Sequence, residues 1–287
     1  MIQVIGSVLV LVCVLGGFLL EGGKILALWH PTEVLIIVGA AFGAFLTSNP
    51  PKISKIAFQQ ALALPKGPRY KREDYVTLLK LIYEILMKIR KEGLLAIEGD
   101  LEKPEESALF QKYPVVLADH HMVVFITDCL RLMVGGSLDP HELESLLEYE
   151  LETHHKEAHE PAHAVQKVAD ALPGFGIVAA VLGIVITMGS IDGPVQEIGH
   201  KVGAALVGTF LGILLSYGLF APLATKLEFM GIAELAYFRS IATMVQGFAD
   251  NQPPKIVLEV ARRGLSSEVR PSQEELETML KAVDSGG

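Results

Sequence analysis

ALPGFGIVAAVLGIVITMGSI (171–191) and VGAALVGTFLGILLSYGLFAPLAT (202–225) are joined by DGPVQEIGHK (192–201). Neither stretch contains Asp, Glu, Lys, Arg or His. Each is long enough for a helix to cross a hydrocarbon core, which takes about 20 apolar residues. Two such runs with a short polar connection predict a transmembrane helical hairpin, and this hairpin decides the fold.

Working outward, two more stretches lack ionisable residues, 2–20 and 34–49. The second is short, and Trp29 and its neighbours are expected to extend it, with the indole at the interface. The first has no basic residues ahead of it and is followed by Glu21-Gly22-Gly23-Lys24 rather than a small-residue cleavage site, so it reads as a retained span. Of the Lys and Arg residues, 15 fall in 50–170 and 7 after 225, while the two short connections hold only Lys24 and Lys201. Positive residues stay inside, so the long loop, the tail and both termini are expected to be cytoplasmic. The fold class is an all-α membrane protein with four transmembrane helices in a 2+2 layout and a helical cytoplasmic domain. Its expected segments are 1–49 (spans 1 and 2), 50–170 (cytoplasmic domain), 171–225 (spans 3 and 4) and 226–287 (cytoplasmic tail).

The composition agrees. Among 287 residues, 51% are hydrophobic and 20% charged, with formal net charge −9. That mixture calls for apolar spans plus a polar domain. The acidic balance argues against nucleic-acid binding, which needs a basic face. Cys13 and Cys129 fall in different compartments, so both are expected to be packing residues rather than a disulfide.

In the polar part, Asn49-Pro50-Pro51 ends the second span, and Leu64-Pro65-Lys66-Gly67-Pro68 reads as a loop. Val76, Leu79, Tyr83, Leu86 and Met87 recur at helical spacing over 72–91, and Gly93 ends that helix. Pro104-Glu105-Glu106 reads as a helix start, and an apolar helix is expected over 115–135 before Gly135-Gly136. Asp139-Pro140-His141-Glu142 resembles a capping box opening a helix to about 159, and Ser272 with Glu275 repeats the signature in the tail.

His159-Glu160-Pro161-Ala162-His163 carries the letters of a zinc-protease HExxH. That chemistry needs both histidines on one face of a continuous helix. Pro161 is expected in the first turn of the helix leading into the third span, leaving His159 outside it, with no third ligand. His154, His155, His159 and His163 then read as a solvated helix-end cluster. No phosphate loop, nucleophile elbow or triad signature is present, so neither an enzyme nor a bound cofactor or metal is expected.

The most informative feature of the spans is what they lack. An intramembrane carboxylate or histidine is the usual mark of a proton relay. If this chain conducts ions, the titrating group comes from a partner. The spans hold instead Thr187, Ser190, Thr209, Ser216, Tyr217, Pro173 and Pro222. Hydroxyls in helices mostly bond the carbonyl of their own preceding turn, the reading preferred for Ser7, Thr47, Ser190 and Ser216. The prolines suggest a hinge. Gly39/Gly43 and Gly208/Gly212 form GxxxG pairs, which suit close helix packing within or between subunits.

Leu172 to Ala180 of the third span and Val207 to Leu215 of the fourth resemble the MotA family, the larger flagellar stator subunits. So do Tyr113-Pro114, Leu117-Ala118-Asp119 and Arg270-Pro271-Ser272. The resemblance covers nearly the whole chain. It implies five copies around two MotB chains in the bacterial inner membrane, forming an ion channel whose titrating aspartate belongs to MotB. It implies further that ion flow is converted to torque on the rotor protein FliG through the cytoplasmic domain. By resemblance, Pro173 and Pro222 couple ion binding to movement, Thr209 faces the MotB aspartate, and Arg90 and Glu98 contact the rotor. Sodium-driven relatives tend to carry threonine where this chain has Ala180, so the coupling ion is expected to be the proton. Rival readings are an ExbB/TolQ-type energy-transducing subunit, a membrane zinc protease and a stand-alone channel. The ExbB/TolQ type has three spans rather than four.

Overall fold

A computed structural model describes residues 2–64, 67, 69–136, 138–189 and 191–285. Ser190, and Pro65, Lys66 and Pro68 of the expected loop, lie outside the described residues. Among those described, all regular structure is helical: α1 (Ile2–Leu20), α2 (Pro31–Ser48), α3 (Pro51–Ala63), α4 (Arg72–Glu92), α5 (Glu98–Glu102), α6 (Ala108–Gln111), α7 (Pro114–Leu117), α8 (His120–Val134), α9 (Pro140–Met188), α10 (Val195–Leu215), α11 (Ala221–Ala249), α12 (Pro254–Gly264) and α13 (Gln273–Asp284). A single π-helical turn, Ser216–Phe220, joins α10 to α11.

The chain divides into two compact units. One comprises 1–67 and 157–230, the other 68–156 and 231–287. α2, the end of α9 and the run Val195–Ala249, whose part up to residue 230 lies in the first unit, are long and apolar enough to cross a membrane, and α1 adds a shorter apolar stretch over Val4–Leu20. Their large side chains lie largely exposed: Ile5, Leu9 and Val12 on α1, and Ile177, Val178, Val181, Ile184 and Val185 on α9. A helix apolar on all sides but uncovered by its own chain is suited to lipid or to neighbouring helices.

The second unit has an aqueous-type core. Leu78, Leu79, Ile82, Tyr83, Ile85 and Leu86 of α4 are buried against Phe110, Phe125, Ile126, Tyr237, Ile241 and Leu258. Tyr70 stacks on Tyr237 with ring centroids 4.0 Å apart, and Tyr75 meets Tyr237 edge-on at 4.7 Å. Burial pushes the Tyr75 phenol up to about 12. Asp119 caps α8 through Met122 N, accepts from the Tyr70 hydroxyl at 2.8 Å and pairs with Arg69 at 3.0 Å. Both capping boxes form: Asp139 Oδ1 accepts from Glu142 N at 2.9 Å while Glu142 Oε2 accepts from Asp139 N, and Ser272 and Glu275 reciprocate likewise.

Four expectations need correction. The helix opened at Pro140 does not stop near 159 but runs 49 residues to Met188, through Pro161 and Pro173. Pro104–Glu106 forms a turn, and the helix follows at Ala108, capped by Ser107. The stretch 115–135 splits into α7 and α8, because Asp119 caps a new helix. Trp29 does not extend the second span: it is 67% exposed, and the helix starts at Pro31. Cys13 is exposed and Cys129 buried, both free thiols, and burial pushes Cys129 up.

Candidate functional site

Where α9 and α10 cross, glycine sets the distance. A Cβ on Gly176 would lie 2.9 Å from Gly208 O and 3.2 Å from Gly212 Cα. One on Gly212 would lie 2.7 Å from Leu172 O, and one on Gly183 2.7 Å from Ala205 Cβ. Real Cβ atoms do not come within 3.0 Å of such neighbours, so a side chain at these positions would force the two helices to shift. Gly208 and Gly212 are therefore consumed by packing within the subunit. Gly39 and Gly43 are not: no atom of another helix comes within 4 Å of a Cβ there.

Thr209 and Ala180 border this crossing. The Cα of Thr209 is 3.3 Å from a Cβ placed on Gly176, and the amide nitrogen of Ala180 is 3.4 Å from one placed on Gly208. Thr47, Thr187 and Thr225 each donate to the carbonyl one turn back, at 2.9, 2.8 and 3.1 Å. The half-buried Thr209 hydroxyl makes no such bond among the described residues, and remains available to a group from outside.

Pro173 lies half-buried inside α9, just before the crossing, and Pro222 is exposed in the first turn of α11. A proline ring clashes with the carbonyl one turn back. At Pro222 the chain accommodates this with the π turn, in which Ala221 N–H donates to Ser216 O. Such turns are rare and concentrate at functional positions. A Cβ on Gly218, in that turn, would lie 3.1 Å from Val10 Cγ1, so α1 rests against it. Ser216 does not bond its own preceding turn, as the sequence suggested. Its buried hydroxyl donates to Ala169 O on α9 at 2.6 Å.

Glu33 is a polar residue that the sequence pattern did not single out. It sits in the first turn of α2, only 9% exposed, and accepts from Thr32 Oγ1 at 2.7 Å. The signal was present: Pro31 with an acid two residues on is the same helix-start pattern as Pro140 with Glu142. Between residues 34 and 48, 171 and 188, and 202 and 225 no Asp, Glu, Lys, Arg or His occurs.

In the second unit, Arg90 lies in the last turn of α4 and Glu98 opens α5. Gly93, at φ 91°, turns the chain between them. Ile97 and Leu101 anchor the turn in the core. Asp100 fastens it, accepting from Lys88 at 2.7 Å and Ser107 at 2.6 Å, and Arg131 donates to Leu101 O at 2.6 Å. Nearby Glu84 accepts from Tyr113 at 2.7 Å; burial and then that bond push the Tyr113 phenol up. Arg90 and Glu98 are both exposed and make no ion pair among the described residues. Between them stands Leu95, 73% exposed, which no sequence motif marked.

The HExxH residues lie on unbroken helix: α9 is continuous through Pro161 and places His159 and His163 one turn apart. The expected exclusion of His159 from the helix was wrong. Among the described residues, though, no three His, Cys, Asp or Glu side chains gather to hold a metal ion. His154 is not solvated at a helix end either: it stacks on Phe238 with centroids 4.8 Å apart and meets Phe125 edge-on.

The chain matches two family models, motility protein A N-terminal over residues 4–93 and the MotA/TolQ/ExbB proton channel family over 118–238. It is 40% identical over 283 residues to motility protein A of Escherichia coli, covering 99% of this chain and 96% of that protein. It is 40% identical over 276 residues to chemotaxis protein LafT of Vibrio parahaemolyticus, covering 96% and 97%. Among solved structures it resembles the C. jejuni MotAB structure with TM-score 0.74 and 25% identity, over 94% of this chain and 98% of that one. The Bacillus subtilis MotAB stator complex shares the fold with TM-score 0.71. The chain therefore belongs to the motility protein A family, the non-enzymatic, channel-forming subunits of flagellar stators.

Proposed function

We propose that this subunit crosses the bacterial inner membrane four times in a 2+2 arrangement with both termini in the cytoplasm. Five copies surround two MotB-type chains and conduct protons, and the resulting movement turns the rotor through FliG. One observation carries the reading. The α9–α10 crossing presents a hydroxyl with no partner among the described residues, Thr209, with Pro173 before the crossing and Pro222 beyond it, in stretches 171–188 and 202–225 that hold no Asp, Glu, Lys, Arg or His. A proton path there needs a carboxylate from another chain. Ala180 at the same crossing adds no oxygen ligand for sodium, which favours the proton. Arg90 and Glu98 are the rotor-contact residues and Leu95 the apolar contact between them. An exposed apolar residue ringed by charge is ordinary interface anatomy, and the charges steer and register the partner.

The test is swimming and cytoplasmic pH in cells carrying this chain with its MotB-type partner, without it, or with the partner's membrane aspartate changed to asparagine. Motility and proton entry should require both chains and the aspartate. Motility should fail with a protonophore and persist when the sodium gradient is removed. Conduction by this chain alone would overturn the reading.

A further inference from the structure

In a regular α-helix the carbonyl of Ala169 accepts the N–H of residue 173. Residue 173 is proline and has none. Ala169 is 0% exposed, so water cannot take the missing donor's place. A buried carbonyl left without a donor is costly. The donor comes from the next span: Ser216 Oγ, on a residue 1% exposed, lies 2.6 Å from Ala169 O.

Ser216 is engaged a second time. Its own carbonyl accepts the N–H of Ala221 in the wide turn that precedes Pro222. One residue thus satisfies the carbonyl freed by the first proline with its side chain and closes, with its backbone, the wide turn that leads into the second. The hydroxyl also has a second acceptor within reach, because serine in a helix can donate to the carbonyl one turn back, here Gly212 O. Thr47, Thr187 and Thr225 all make that choice. One donor with two acceptors, one on the facing helix and one on its own, defines two discrete states of the kind that switching elements use.

We infer that Ser216 is a positioning residue of the ion-driven movement. Its hydroxyl holds α9 at Pro173 to the turn at Pro222, and exchanging Ala169 O for Gly212 O lets the two helices shift. This rests on the coupling role proposed for Pro173 and Pro222.

The experiment uses the full complex with its MotB-type partner. Motor speed is recorded as single stator units join, so the speed increment per unit is independent of how much protein is made. Ser216→Ala should cut the increment several-fold at normal membrane levels, and Ser216→Thr, which keeps the donor, should restore most of it. The melting temperature of the purified complex supplies an independent readout. Pro173→Ala returns an N–H to residue 173, so Ser216→Ala should lower the melting temperature in the parent and leave it unchanged in the Pro173→Ala background. If Ser216→Ala alone fails to assemble, the double variant should recover assembly. An unchanged increment in Ser216→Ala, an equal melting loss in both backgrounds, or a double variant that still fails to assemble overturns the inference. A parent chain that drives no rotation overturns the stator reading instead.

Discussion

In the unit formed by 68–156 and 231–287, the fully buried side chains are large: Tyr83, Tyr237, Phe110, Phe125 and the leucines of α4. In the unit formed by 1–67 and 157–230, Gly176, Gly183, Gly208 and Gly212 bring two helices together, while many isoleucines and valines are exposed. One chain uses two solutions to packing because it meets two solvents. Water drives bulky apolar groups together in proportion to the area they remove from it. Lipid offers no such drive between helices, so spans associate through close backbone approach and a few well-placed polar bonds. The unit facing lipid is therefore the one whose smallest residues are least replaceable, and the unit facing water the one that depends on its aromatics and capped helices.

This contrast breaks most visibly at Gly212. The added methyl of Gly212→Ala would sit 2.7 Å from a backbone carbonyl, which has no rotamer to yield. Overpacking ordinarily costs about 1–3 kcal/mol, and a backbone-on-backbone clash falls at the upper end. The α9–α10 crossing should open and the complex should be lost from membranes, as read by its yield in mild detergent. Gly43→Ala, in open space within the subunit, should leave the fold of the single chain intact. A loss of assembly there would place Gly43 against a neighbouring chain and extend glycine packing to the subunit interface.

A smaller loss is expected in the other unit. Asp119 joins an N-cap, a tyrosine hydroxyl and an arginine that also pairs with Glu234. Asp119→Ala removes the cap and leaves Tyr70 and Arg69 short of an acceptor. The expected cost is about 2–3 kcal/mol, from a cap worth about 1 and the Tyr70 hydrogen bond to the carboxylate worth about 1.5, the exposed Arg69 keeping Glu234. Thermal unfolding followed by near-ultraviolet dichroism reads it. Loss of the aromatic signal without loss of helix would show that the stack of Tyr70 on Tyr237 depends on this carboxylate.

The same two solvents explain what could be read from the sequence. The apolar runs announced the lipid-facing helices, and the periodicity of Leu79, Tyr83 and Leu86 announced α4, because both follow from local pattern. The continuity of α9 was hidden. Pro161 and Pro173 locally argue for helix ends, and the helix persists through Pro173 because Ser216, 47 residues from Ala169, supplies the missing donor. No local rule reaches that far. The π turn was hidden for the same reason, and Glu33 was missed because a span was delimited by its charges rather than by its cap. The candidate residues at the crossing came from resemblance. Composition showed only that 2–20, 34–49, 171–191 and 202–225 carry no Asp, Glu, Lys, Arg or His, and so led toward a partner.

The smallest effect on stability should accompany a large effect on function, at the turn of Arg90, Leu95 and Glu98. The turn is held from beneath by Ile97, Leu101 and Asp100, none of which points to solvent as Arg90 and Glu98 do. Surface substitutions away from such supports usually stay within about 0.5 kcal/mol, so Arg90→Glu and Leu95→Ser should melt with the parent chain. If the turn meets the rotor, both should reduce swimming, and a charge reversal on FliG should recover part of the Arg90→Glu loss but none of the Leu95→Ser loss, since charge registers the partner and the leucine fills a contact. Recovery of both by one charge reversal would mean that Leu95 acts only through its charged neighbours. Normal swimming by both would return the turn to ordinary surface and move the rotor contact elsewhere on the unit.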